Sequence, residues 1–184
     1  MNLLKLSDIK KTLSFRIQKG MSIESIERFA QNSFNDTFDF DVYLSSKKMN
    51  LQRPLVWTLE QKQEFILSVI KGIQISALSV IRYREKPGVL NSVTMKFIDG
   101  KQRFTTIMSF YKNEFPIEVN GVDYFYFDME EECQRLIKYF SFHFDIAYEY
   151  DYDMISDDDK IAWFEMINFA GTPQDVEHLK DLKS

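Results

Sequence analysis

The chain changes period at Asp99-Gly100. Before that dipeptide, Val93 to Ile98 is rich in β-branched and aromatic residues, the composition of a strand. After it, Phe104, Ile107, Met108 and Tyr111 recur at i, i+3, i+4 and i+7, the spacing of one apolar helix face. A strand that hands over to a helix within two residues needs a sheet face and a helix face that bury each other. One compact mixed α/β unit is the economical reading of that pattern. The hydrophobic content of 45% and aromatic content of 15% suffice for one packed core and exclude general disorder.

The rest of the sequence extends the same reading to a mixed α+β fold with a small mixed sheet flanked by helices. Thr58-x-x-Gln61 is a capping box, Phe65, Ile66, Val69 and Ile70 form one apolar face, and Gly72 ends that helix. Ser79 to Arg84 and Val93 to Ile98 read as a hairpin whose long loop holds Pro87-Gly88 and Asn91. Asn120-Gly121 predicts a second, tight hairpin. Glu130 to Lys138 reads as helix and Tyr139 to Tyr148 alternates as a strand. Ser156 opens a helix carrying Ile161, Phe164 and Ile167. Upstream, Ile23, Ile26 and Phe29 predict a helix over 22–34, and Phe38, Phe40, Val42 and Leu44 predict one strand. The expected division is a helical extension over 1–37 and a single domain over 38–184.

Charge and cysteine content narrow the function classes. Lys and Arg outnumber Asp and Glu by 14 to 9 over residues 1–92, and are outnumbered 9 to 19 over residues 93–184. Only the first half could offer a basic face, so tight autonomous binding to duplex DNA is disfavoured. The single cysteine, Cys133, excludes an internal disulfide and a multi-cysteine zinc site. No run of about 18 apolar residues and no secretory h-region are present, which predicts a cytoplasmic protein with no membrane partner. The Asp157-Asp158-Asp159 run falls in a helix first turn, where acids suit the dipole, so no metal site is assigned to it.

Asp99-Gly100-Lys101-Gln102-Arg103 breaks a local rule. Lys101 and Arg103 stand in the first turn of a helix, where the dipole and the free backbone N–H groups already supply positive potential. A phosphate accepting from these groups and from Gln102 would relieve the conflict, with Gly100 letting the backbone come close. Asp99 could cap the turn, hold a magnesium-bound water or bind a sugar hydroxyl. Gln52-Arg53-Pro54 offers a second cation on backbone held extended by the proline, anchored by Leu51, Leu55 and Trp57. If Arg103 serves only a ligand, Arg103→Ala leaves the free protein nearly as stable as the wild type.

These segments, in order, are Gln52-Arg53-Pro54 with Trp57, then Ser68-Val69-Ile70-Lys71-Gly72, then Ile98 to Thr106, then Trp163 to Thr172. Together they resemble the N-terminal domain of GmrSD-type modification-dependent restriction systems, over roughly residues 40 to 180. The resemblance implies a ParB/sulfiredoxin-like fold and a nucleoside triphosphate ligand, with or without magnesium. It implies catalytic roles for Asp99, Gln102 and Arg103 and ligand contacts from Gln52, Arg53, Gly100, Lys101, Asn168 and Thr172, with Gly171 matching the same terminal element. Lys101 stands where the family usually has Gln, which leaves hydrolysis more open than binding. The implied setting is conflict between phage and bacterium. A nuclease subunit or defence complex is the expected protein partner, and DNA cleavage by this chain alone is not expected. Three readings remain open: a nucleotide-binding domain with or without weak NTPase activity, a non-enzymatic inhibitor or regulatory subunit, and a DNA-binding module.

Overall fold

The computed structural model describes residues 13–31, 36–84, 93–150 and 153–169. Within them the expectation of a mixed α+β fold is met. A five-stranded mixed sheet has the order β1-β9-β5-β6-β2, with β1 Gln18–Ser25, β2 Asp36–Asp39, β5 Leu78–Arg84, β6 Val93–Asp99 and β9 Ser141–Tyr150. β5 lies at its centre, antiparallel to β6 and parallel to β9. The two hairpins are where the sequence puts them. β5 and β6 pair from Ser79↔Asp99 to Arg84↔Val93, and β7 Ile117–Val119 pairs with β8 Val122–Tyr124 through Asn120 and Gly121, both at positive φ. The loop over 85–92 lies outside the described residues.

Both faces of the sheet are buried. On one face Val80, Met95, Phe97, Phe142 and Phe144 pack against helices α2 (Leu59–Ile70) and α3 (Lys101–Tyr111). Phe65, Ile66 and Val69 come from the first helix and Phe104, Ile107 and Phe110 from the second, as the apolar periodicity requires. The capping box of α2 is present, with Thr58 Oγ1 accepting from Gln61 N and Gln61 Oε1 accepting from Thr58 N. On the other face Ile81, Ile98 and Ala147 pack against Ile161, Trp163 and Phe164 of the last helix, α5 (Asp157–Phe169). Each large apolar side chain so buried stabilises the fold by about 1.5–3 kcal/mol. The remaining helices are α1 (Ile26–Ala30) and α4 (Glu131–Lys138), whose Ile26 and Ile137 close the first face. Among the described residues no helix is long and apolar enough to cross a membrane.

Two expectations are corrected. Residues 18–25 form an edge strand against β9 instead of a helix, and the helix begins only at Ser25, which caps it by accepting from Arg28 N. The Ile23/Ile26/Phe29 spacing is carried into the helix only by Ile26 and Phe29. Pairing with β9, through two register shifts, decides the state of the segment before them. The stretch from residue 18 therefore belongs to the main sheet. The Phe38-to-Leu44 alternation is likewise not one strand. β2 ends at Asp39, Asp41 N donates to Asp39 Oδ1, and Tyr43–Leu44 (β3) pairs instead with Met49–Asn50 (β4). Phe38 and Phe40 pack against the α2/α3 core, whereas Val42 and Leu44 are buried in the α5 core. The chain thus crosses from one side of the sheet to the other at Asp41.

The acidic first turn of α5 is used structurally. Asp157 accepts from Ser46 N at 2.9 Å and lies 3.5 Å from Lys160 Nζ. Burial opposes its ionisation, but the Ser46 hydrogen bonds and the Lys160 charge outweigh that and hold its pKa below the usual carboxylate value. The Ser14 hydroxyl, helped by Ser156, lowers Asp159 in the same way.

Candidate functional site

The crossover at Asp41 is matched by a second. Leu51 is buried in the α5 core, its N–H donating to Val42 O at 2.8 Å, while Trp57 packs on Phe65 with ring centroids 5.4 Å apart in the α2/α3 core. Residues 51–57 therefore span the end of the sheet, and Arg53 sits mid-span, extended by Pro54. A third passage is Asp99-Gly100-Lys101, where β6 turns into α3. A cavity of about 520 Å³ lies among the three. Its polar lining is Asp41, Asn50, Gln52, Arg53 and Lys101, and its apolar lining is Met49, Pro54 and Leu55. A volume of that size accommodates a small organic ligand.

The sequence-derived site residues divide into two groups. Gln52, Arg53 and Lys101 line the cavity. Gln52 is oriented by a 3.1 Å hydrogen bond from Nε2 to Phe97 O, on the strand that leads to the turn. Gln102, Arg103 and Asp99 are instead engaged in holding its walls. Gln102 Nε2 donates to Pro54 O at 2.9 Å, and its Oε1 accepts from Val56 N and Trp57 N, so this one side chain clamps the span that carries Arg53. Arg103 binds Ser76 O, Ala77 O and the Asp99 carboxylate, tying α3 to the start of β5. Asp99 does not cap α3. The cap residue is Gly100, whose side is closed by Leu78 and not by an open approach path. Asn168 is buried, with Nδ2 donating to Phe164 O within its own helix. Gly171 and Thr172 lie outside the described residues.

The dipole conflict at the start of α3 is real, and the fold resolves it internally. Lys101 Nζ meets Asp41 Oδ1 at 2.9 Å and Arg103 meets Asp99. Each first-turn cation thus has its own carboxylate. Asp41 is the residue that the sequence reading missed. Its signal is the acid placed between Phe40 and Val42, at the break in an otherwise continuous apolar alternation.

Comparison with known proteins decides the family. The GmrSD restriction endonuclease N-terminal domain matches residues 40–180, most of the chain. The chain belongs to the GmrSD N-terminal domain family. Neither a curated protein nor a solved structure matches it. The matched range opens at the Asp41 crossover, so the GmrSD N-terminal domain includes all three passages that bound the cavity. In this GmrSD-type domain the Asp-Gly-x-Gln-Arg turn is an architectural clamp on either side of Lys101.

Arg103→Ala should therefore destabilise the free protein by about 2–3 kcal/mol. It removes charge-assisted hydrogen bonds and leaves Asp99 without its cation. This replaces the expectation of a silent substitution. Urea titration at neutral pH reads the difference, and an unchanged midpoint would return Arg103 to the role of a ligand-only side chain.

Proposed function

We propose that this domain binds a nucleotide by its phosphates and reports that binding to a partner in restriction-type defence. The carrying observation is that Arg53 and Lys101, 48 positions apart in the sequence, line one cavity with the donor Gln52. Two cations and an amide on rigid supports suit a phosphate, because the guanidinium can bind two oxygens and the ammonium acts as a point charge. Met49, Pro54 and Leu55 add apolar lining on which a base or sugar can rest. Hydrolysis is the weaker half of this reading. Asp99, Gln102 and Arg103 are committed to holding the cleft, so the arrangement favours binding and signalling over turnover.

The regulatory reading draws on the same place. Leu55 and Val56 are more than half exposed and follow Arg53 directly, so a ligand held by Arg53 bears on a surface suited to a nuclease subunit or another defence component. The test is a thermal-shift screen of nucleoside mono-, di- and triphosphates with and without magnesium. At a hundredfold excess over its dissociation constant, a ligand stabilises by about 2.7 kcal/mol. In a chain of this size that corresponds to a melting-temperature rise of roughly 5–10 °C. No rise with any nucleotide, alongside a stable complex with a protein partner, would favour the non-enzymatic interaction protein instead.

A further inference from the structure

We propose that Asp41 is a built-in competitor of the cavity, a resident carboxylate that must be displaced before a phosphate can reach Lys101. The inference rests on the nucleotide-binding reading and names what that site selects. The ion pair is unequal. The Lys101 side chain is 11% exposed, whereas that of Asp41 is 69% exposed, with Oδ1 and Nζ 2.9 Å apart. Lys101 is buried at the first position of α3 and lines the cavity. Asp41 is largely hydrated already, so giving up the contact costs it little. Its backbone is held by the bond from its N–H to Asp39 Oδ1 and by the burial of Val42. Rotation of one side chain therefore opens the site without moving the chain.

Displacement sets a charge threshold. A singly charged ligand exchanges for Asp41 one for one and gains little from Lys101. An internucleotide phosphodiester is such a ligand. A terminal phosphate carries roughly two charges near neutral pH, and a polyphosphate tail carries more, so it wins the exchange and engages Arg53 as well. The same device that makes the cavity accept free nucleotides thus makes it reject nucleic-acid backbone.

The experiment measures affinity for ATP, with and without magnesium, and for a short oligothymidylate with no terminal phosphate. The proteins are the wild type, Asp41→Asn and Asp41→Ser, the second variant serving if the first folds poorly. The wild type is expected to bind ATP and not the oligonucleotide. Both variants are expected to bind ATP about tenfold more tightly, with or without magnesium, which is the scale of one charge-assisted contact. Oligonucleotide binding should become measurable in them. ATP binding that is unchanged or weaker in the variants overturns the competitor role and leaves nucleotide binding standing. Weakening confined to the magnesium arm overturns it too, by making Asp41 a metal ligand. Absence of ATP binding in all three proteins overturns the nucleotide reading, and the competitor role falls with it.

Discussion

Gly100→Ala is expected to cost about 3–5 kcal/mol of folding stability, from two additive causes. Gly100 has φ +102 and ψ 6, backbone that a residue with a Cβ adopts only with strain of about 1–3 kcal/mol. A Cβ built there would also lie 2.3 Å from Leu78 Cδ2 and 3.2 Å from Leu78 Cβ and Cγ, and Leu78 is fully buried at the start of β5. Overpacking of that kind adds about 1–3 kcal/mol. The urea midpoint reads the total. Adding Leu78→Ala separates the parts, because it removes the 2.3 Å contact with Cδ2 and the contact with Cγ, and leaves the backbone strain. The double variant should then lose less than the sum of the single losses. A Gly100→Ala protein with the wild-type midpoint would mean that the turn is not held as described, and the placement of Lys101 would fall with it.

Glu149→Ala is expected to cost about 3–5 kcal/mol, although Glu149 touches no part of the cavity lining. Its side chain is wholly buried, with Oε2 2.6 Å from Lys96 Nζ and Oε1 3.7 Å from Lys160 Nζ. Oε1 also accepts from Ile155 N at 3.1 Å. One carboxylate therefore joins β6, β9 and the start of α5. Removing it takes the carboxylate from the poorly exposed Lys96 ammonium and from one buried N–H, and leaves Lys160 to Asp157 alone, the situation in which breaking a buried pair costs most. The check is a comparison with Lys96→Met/Glu149→Met. That double variant removes both charges and fills the space, so it should be less destabilised than Glu149→Ala, with Lys160 still 3.5 Å from Asp157. Equal losses would show that the uncompensated charge does not set the cost and would point to the acceptor that both variants take from Ile155 N.

What was legible in the sequence follows from which interactions are local. The capping box at Thr58, the Asn120-Gly121 turn and the two apolar helix faces depend on neighbours within a few residues, and all are found. β1 was not legible because its state is set by β9, more than a hundred positions away. Glu149 falls on the polar phase of an alternating strand, which suggests solvent, but α5 covers that phase from Ala147 onward. Ala147 was the available hint, a small apolar residue on the otherwise polar face. At the site, the sequence located the unusual concentration of charge correctly. It could not show that Asp41, 60 positions from Lys101, supplies a carboxylate, nor that Gln102 would hold the backbone of residues 54–57.

The most direct test of the account is calorimetric titration of ATP into the wild type and into Arg53→Ala. Arg53 lines the cavity on a span whose backbone Gln102 clamps, so the variant is expected to lose the phosphate clamp. Saturable binding with one site per chain is expected in the wild type, with an affinity at least about tenfold weaker in Arg53→Ala, the scale of one lost charge-assisted contact. Equal affinity in the two proteins, or no binding of ATP to the wild type, would contradict it.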